Sequence, residues 1–295
     1  MDFQIISDSA CDLADEAALH NIALVPFQIV FDDDHSYKEN IELNVREFYQ
    51  YMIERPNVFP KTALPSVQDY LDVFSVYAGK DIPMVCICIS SKISGSYHSA
   101  AIAKGMILED YPEAKIEIVD SRFATVLEGL LVLECVKLRD RKIPYDQCAQ
   151  LLRDSVETGR IIFTVGSVDY LKAGGRMSKF AGAVTSTLGI RPVIAMKNGA
   201  LLSSGITLSR KKSIDKVAQA VKEYLSSIKD DISQYSIVVG YGYDREEAES
   251  FAENLFRIIS EEFSITPEIP VRQIGSTIGV HTGPYPLGVG ILKQQ

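Results

Sequence analysis

The stretch VCICISSKISGSYHSAA, residues 85–101, joins an apolar run to a loop rich in hydroxyl groups and to the start of a helix. Alternating Val, Ile and Cys side chains at 85–89 predict a strand that is buried on both faces. Residues 90–96 contain four serines and a glycine. Small side chains from Tyr97 onward are compatible with a helix. The stretch therefore predicts a strand–loop–helix unit of an α/β protein.

The hydroxyl loop at 90–96 has two interpretations. A loop between a strand and a helix presents free backbone N–H groups and the positive end of the helix dipole, so hydroxyl groups there favour an anionic ligand. Serine is also a favoured helix N-cap and turn residue in any protein. The loop alone leaves both roles open.

Composition limits the classes of function. A chain of 295 residues is longer than one ordinary domain, which favours two domains. Its net charge of −9 and the shortness of its longest basic run, residues 210–212, argue against a nucleic-acid partner. The first residues lack the pattern of a signal peptide, and no apolar run approaches 18 residues. We expect a cytoplasmic protein.

Metal and redox chemistry are not expected. The five cysteines lie mostly in apolar patterns that suit reduced core thiols. The four histidines show no spacing typical of a zinc site, so we predict neither a metal nor a cofactor.

The first half of the chain, residues 1–160, predicts an α/β/α domain around a parallel sheet. Predicted strands at 3–6, 85–89 and 116–119 each end in a polar loop, and such loops share the carboxyl edge of a parallel sheet, where α/β proteins bind ligands. Residues 23–31 predict one further strand. Asp12 is a candidate N-cap for a helix reaching about Leu19, and Ser66 caps a helix from Val67.

The second half, residues 161–295, predicts a two-layer α/β domain with a mixed sheet. Asn198-Gly199 between two β-type runs indicates an antiparallel hairpin. A short helix at 169–172 should end at Gly174-Gly175. A buried helix is predicted at 177–188, and a glycine-rich turn at 279–283.

Seven segments, in order along the whole chain, resemble the DegV family, whose members include the fatty-acid-binding subunit (FakB) of bacterial fatty acid kinase. They are IISDSACDL (5–13), KTALPS (61–66), ISSKISGSYHSA (89–100), VDSRFATVLEGLLV (119–132), VDYLKAGGRMSK (168–179), IRPVIAMKNGAL (190–201) and HTGPYPLGVGIL (281–292). The resemblance implies two domains with a fatty acid between them. It implies that Thr62 and Ser94 hold the carboxylate, that His281 lies beside it, and that Arg176 belongs to the surface that docks the kinase.

The chemistry of the residues in these loops is also compatible with a site that binds a carboxylate. A buried carboxylate needs several hydrogen-bond donors, which the hydroxyls of Thr62 and Ser94 and the backbone N–H of Gly95 can supply. Ala63-Leu64 replaces the family's usual Ser-Gln, which makes the predicted network leaner. Five apolar positions are candidate walls for the acyl chain, although each also suits a plain core role: Phe180, Val184, Leu188, Ile190 and Val193.

We therefore expect a protein that binds a long-chain fatty acid, for example a C16 or C18 chain, and presents it to an ATP-dependent kinase subunit. It has no nucleotide-binding motif of its own and is not expected to be an enzyme. A transient contact with a membrane surface is compatible with this function.

Two alternatives remain from the sequence. One is a serine hydrolase with Ser94 as nucleophile and His281 as base, although the chain has no GxSxG motif. The other is a protein that binds a phosphorylated metabolite with the same hydroxyl loop and needs no apolar tunnel.

Overall fold

The computed structural model describes residues 3–31, 35–176, 190–228 and 231–295, and the backbone of residues 180–181. These residues form three sheets and ten α-helices. The strands are Gln4–Asp8 (β1), Ile22–Val25 (β2), Gln28–Val30 (β3), Ser36–Lys38 (β4), Lys61–Ala63 (β5), Met84–Cys88 (β6), Ile116–Asp120 (β7), Arg160–Thr164 (β8), Phe180–Ala181 (β9), Arg191–Lys197 (β10), Ala200–Thr207 (β11), Tyr235–Tyr241 (β12), Val271–Gln273 (β13) and Leu287–Lys293 (β14). The helices are Ala14–Ala17 (α1), Val45–Glu54 (α2), Val67–Ala78 (α3), Ser96–Asp110 (α4), Thr125–Asp140 (α5), Tyr145–Thr158 (α6), Asp169–Ala173 (α7), Arg210–Ser227 (α8), Arg245–Phe263 (α9) and Ser276–Thr282 (α10).

The N-terminal sheet is parallel, with strand order β2-β1-β6-β7. All five residues of β6 are buried, because α3 and α4 pack on one face of the sheet and α5 and α6 on the other. The predicted α/β/α layering is therefore confirmed. Ser66 caps α3 through a reciprocal capping box with Asp69, also as predicted.

The C-terminal sheet is mixed, with strand order β13-β12-β14-β8-β10-β11-β9. Helices α8 and α9 cover one of its faces. Its β10–β11 hairpin turns at Asn198-Gly199, where both residues have positive φ (50° and 78°), as a type I′ turn requires. The predicted two-layer mixed domain is confirmed. The exact division of the chain at residue 160 stays a prediction.

Helix α5 lies between the two sheets and joins their cores. It contacts β1 and β6 of the parallel sheet and β12 and β14 of the mixed sheet. Eleven of its residues are buried, which explains its nearly continuous apolar sequence. Its N-terminus consequently lies at the junction of the two domains.

The predicted strand at 23–31 is in fact two strands. Pro26 separates β2, which pairs in the parallel sheet, from β3, which pairs with β4 and β5 in a small antiparallel sheet. Proline lacks the N–H needed to continue a ladder, so the chain leaves one sheet there and enters another. This small sheet places Thr62, on β5, beside the C-terminal domain.

Three other local predictions were wrong. Asp12 does not cap α1: its backbone is left-handed, its carboxyl accepts a hydrogen bond from Thr125, and α1 ends at Ala17. His281 lies on α10 rather than in a turn, because residues 276–282 form a helix despite Gly279.

The helix predicted at 177–188 is contradicted at Phe180–Ala181, which pair with the free edge of β11 as strand β9. The rest of that prediction, including Val184 and Leu188, lies outside the described residues.

Candidate functional site

A cavity of about 880 Å³, including its mouth, lies where α5, α10 and the ends of both sheets meet. Apolar side chains from both domains form most of its wall, among them Phe27, Ile89, Ala124, Ile161, Met196 and Val289.

One end of the cavity is polar. Four separate segments bring it together: strand β5 supplies Thr62, the β6–α4 loop supplies Ser94, the segment after α7 supplies Arg176, and α10 supplies His281. All four side chains are half-buried. These four half-buried side chains give the otherwise largely apolar cavity a polar end.

Thr62 and His281 are in direct contact, with Thr62 Oγ1 3.1 Å from His281 Nε2. His281 Nδ1 is buried and has no hydrogen-bond partner among the described residues. Because a buried N–H without an acceptor is rarer and more costly than an unused lone pair, the contact favours the tautomer with its proton on Nε2. The ring then donates to Thr62, whose own hydroxyl hydrogen stays free for a ligand.

Burial, and to a lesser extent the charge of Arg176, lowers the pKa of His281 to about 3. The imidazole is thus neutral at physiological pH and is a weak general base. Its hydrogen bond goes to Thr62 rather than to Ser94, and no carboxylate in the described part of the chain orients Nδ1. The hydrolase alternative is not supported.

Arg176 lines the cavity, and its guanidinium is held in place by two backbone carbonyl groups. Its Nη1 donates to the carbonyl oxygen of Gly174 at 2.8 Å, and its Nε to that of Ile93 at 3.3 Å. Burial lowers the pKa of Arg176, yet arginine remains a cation at any physiological pH. It supplies a positive charge at the polar end.

Ser94 lines the cavity, and Gly95 stands just behind it. The Ser94 hydroxyl oxygen accepts from the N–H of Ser96 at 3.3 Å, so its O–H hydrogen points elsewhere. Gly95 is the N-cap of α4 and is not part of the cavity wall. A Cβ at Gly95 would lie 3.0 Å from Leu64 Cδ2. Leu64 therefore packs against this loop.

The described candidates for the acyl-chain wall lie elsewhere. Val193 is fully buried in the core beneath α8 and α9, and Ile190 is half-buried before β10. Neither lines the cavity. The side chain of Phe180 is outside the described part of the chain, as are Val184 and Leu188.

Sequence reasoning missed the apolar residues that do form the wall. Ile89 could have been found, because it directly precedes the hydroxyl loop at the carboxyl edge of the sheet. Nothing in the sequence around Thr125 or Thr277 indicates that these residues line a cavity.

Thr125 and Thr277 belong to the cavity wall, but their hydroxyl groups donate hydrogen bonds to buried carboxyl groups behind that wall. Thr125 donates to Asp12, and Thr277 Oγ1 donates to Glu39 at 2.7 Å. The backbone N–H of Thr277 also donates to Glu39 at 2.7 Å. Burial raises the pKa of Asp12 well above its usual range and raises that of Glu39. These contacts hold the start of α10, and hence His281, against the N-terminal domain.

Asp8 and Glu128 form the rest of this buried carboxyl cluster. Asp8 accepts from the N–H of Ile89 at 3.0 Å and from the hydroxyl of Ser96 at 2.7 Å, which ties β1 to the hydroxyl loop. Burial raises the pKa of Asp8 to about 6. Burial, reinforced by the neighbouring Asp8, raises the pKa of Glu128 well above its usual range. The buried environment therefore favours the neutral acid form of Glu128 over the carboxylate.

In the described part of the chain, none of the helices has the length and apolar character of a membrane-spanning segment. No group of three or more potential metal-binding side chains there has the geometry to hold an ion.

Comparisons with known proteins agree with this fold. A DegV domain-containing protein of Clostridium perfringens is 30% identical over 98% of this chain and 97% of its own length. A stearic-acid-binding protein from Eubacterium ventriosum is 39% identical in structural alignment, with a TM-score of 0.91 over 99% of this chain and 98% of that one. The fatty-acid-binding protein DegV of Bacillus subtilis is 25% identical, with a TM-score of 0.84 over 99% of both chains.

The family described as "Uncharacterised protein, DegV family" matches residues 2–294. With nearly every residue covered by that match, the chain belongs to the DegV family.

Proposed function

We propose that this protein binds one long-chain fatty acid in the cavity, with the carboxylate at the polar end and the acyl chain among the apolar residues. The observation that carries the proposal is the arrangement of the cavity: hydroxyl donors and a cation at one half-buried end, and apolar walls beyond them. The similar stearic-acid-binding protein of Eubacterium ventriosum supports it.

The polar end suits a carboxylate. Thr62 and Ser94 can each donate a hydroxyl hydrogen, and Arg176 adds a positive charge. Hydrogen bonds to a charged group contribute about 1.5 to 3 kcal/mol each. A neutral His281 orients Thr62 by donating its Nε2–H to the threonine hydroxyl oxygen, and this needs no positive charge on the ring.

The acyl chain supplies most of the affinity. At about 0.8 kcal/mol per buried methylene, roughly fifteen methylenes give about 12 kcal/mol before the costs of association are subtracted. The free phosphorylated metabolite of the alternative interpretation would leave the apolar wall unused.

Paired serine variants test the proposal. Ser94→Ala should weaken binding of a fluorescent fatty acid by about 10- to 150-fold. Ser91→Ala is the matched control: Ser91 lies in the same loop but donates to Asp120 at 2.5 Å and does not line the cavity. Equal losses in the two variants, or none in Ser94→Ala, would contradict the assignment of the carboxylate site.

We further infer that a partner kinase phosphorylates the bound carboxylate with ATP. The half-buried polar end supports this, because a second protein can approach it while the tail stays enclosed. Acyl phosphate should form only when this protein, the fatty acid, ATP and the catalytic subunit of a bacterial fatty acid kinase are combined. Formation at the same rate from free fatty acid, without this protein, would contradict the inference.

A further inference from the structure

We propose that Gly240 determines the longest acyl chain that the cavity accepts. The inference rests on the proposed fatty-acid function and assigns one residue to the far end of the same cavity. Gly240 lies on β12 and forms part of the cavity wall.

Helix α10 gives the direction of the cavity. His281, on its last turn, belongs to the polar end. Thr277 lies one turn earlier, about 6 Å along the helix axis, and Ile274 precedes the helix; both also line the cavity. The wall thus runs from the polar end back to Ile274. The N–H of Ile274 donates to the carbonyl oxygen of Tyr241 at 2.7 Å, which holds it beside Gly240.

This far end is lined by buried residues. Gly240, Val126 and Ile274 are all buried, whereas the side chains of the polar end are half-buried. A bound acyl chain that follows the wall from His281 therefore ends at these three residues.

Position 240 favours glycine because neighbouring side chains leave little room for a Cβ atom, and not because its backbone conformation requires glycine. Its φ is not in the left-handed region, so other residues could adopt its backbone. A Cβ there would lie 3.1 and 3.3 Å from the two Cγ atoms of Val126 and 3.4 Å from Ile274 Cδ1. An added methyl group would push these two side chains, which already bound the cavity, and would shorten the space for the tail.

Gly290 offers a matched control. It lies on the adjacent strand β14 and also packs against α5, where a Cβ would lie 3.1 Å from Val238 Cγ1 and 3.2 Å from Leu127 Cβ. The crowding is as tight as at Gly240, but Gly290 does not line the cavity. The two alanine variants therefore differ chiefly in whether the methyl group affects the cavity.

The experiment measures affinity for saturated fatty acids from C10 to C20 in the unaltered protein, Gly240→Ala and Gly290→Ala. Each methylene that no longer fits should cost about fourfold in affinity. Gly240→Ala should keep its affinity for the shortest acids and reach its maximum at a chain one or two carbons shorter. Gly290→Ala should keep the profile of the unaltered protein. Val126→Ala, which removes bulk at the same end, should move the maximum to longer chains.

The outcomes separate this inference from the proposed function. Normal binding with the same chain-length maximum in Gly240→Ala and in Val126→Ala would overturn the role of Gly240 alone. If Gly240→Ala does not fold, the Val126→Ala profile decides. Absence of binding at every chain length in the unaltered protein would overturn the fatty-acid function and this inference together.

Discussion

His281 Nε2 lies 3.1 Å from Thr62 Oγ1, although the two residues are 219 positions apart in the chain. The contact joins β5 of the N-terminal half to α10 of the C-terminal half. It lies at the polar end of a cavity whose other walls also come from both halves. The two halves of the chain therefore form this polar end jointly.

Replacing Thr62 by Val removes the hydroxyl and keeps the shape of the side chain. Because the hydroxyl hydrogen is the donor aimed at the ligand, Thr62→Val should weaken fatty-acid binding by about 10- to 150-fold in a fluorescence titration. Thr158→Val is a control: its hydroxyl donates to the carbonyl oxygen of Ser155, away from the cavity. An unchanged affinity in Thr62→Val would contradict the assigned role.

Replacing Arg176 by Gln should act on His281 as well as on the ligand. Burial is the larger cause of the low His281 pKa and the charge of Arg176 the smaller, so Arg176→Gln should raise that pKa while leaving it below the usual range. Fatty-acid affinity should fall, because the variant lacks a cation at the polar end. NMR titration of the imidazole measures the first effect.

The family resemblance implies a role for Arg176 in kinase docking, and that role stays a prediction. Its position in the cavity wall adds an expected effect on binding itself. Lys172→Gln, which alters an exposed cation four residues earlier on α7, should change neither the His281 pKa nor the affinity. A His281 pKa that is the same in Arg176→Gln and in the unaltered protein would contradict the electrostatic contact.

Asp8 makes stability depend on pH in a defined direction. Its pKa is raised by burial from 3.8 to about 6, so the folded state binds a proton more readily than the unfolded state. The contribution of Asp8 to stability is therefore greatest below about pH 4 and is lost as the pH rises through 6. Relative to Asp8→Asn, the unaltered protein should lose about 2 kcal/mol of unfolding free energy between pH 4 and pH 7. Urea unfolding at both values tests this; a constant difference would contradict it.

Glu128 should tolerate loss of its ionisable group. Burial, reinforced by Asp8, raises the pKa of Glu128 and so favours the neutral acid form, which Gln resembles in shape and charge. Glu128→Gln should change the free energy of unfolding at pH 7 by less than about 1 kcal/mol, whereas Glu128→Ala should cost more by leaving a cavity. A large loss in Glu128→Gln, comparable with that of the alanine variant, would show that a charged carboxylate is needed.

Local patterns predicted the elements that local forces determine. The alternating apolar run of β6, the Ser66 cap and the Asn198-Gly199 turn each depend on neighbours in the chain. They were confirmed. The strand predicted across Pro26 was wrong because the ladder on each side of the proline belongs to a different sheet.

The site depends on contacts between distant segments, and periodicity carries no signal for these. Thr62 and His281 were named together only through the family resemblance. The buried partners of Asp12 and Glu39 were not predicted at all, since an acidic residue in a polar loop has the same sequence signature whether it is solvated or buried. The apolar wall was likewise sought in the helix predicted at 177–188, whereas the described wall comes from residues such as Ile89 and Val126.

Native mass spectrometry of the purified protein tests the central claim most directly. The account predicts one fatty acid per chain, carried through purification because the enclosed tail dissociates slowly. After the lipid is stripped, adding back palmitate or stearate should raise the melting temperature, since a ligand that binds only the folded state stabilises it. A purified chain without bound lipid, whose melting temperature does not change with any fatty acid from ten to twenty carbons, would contradict the account.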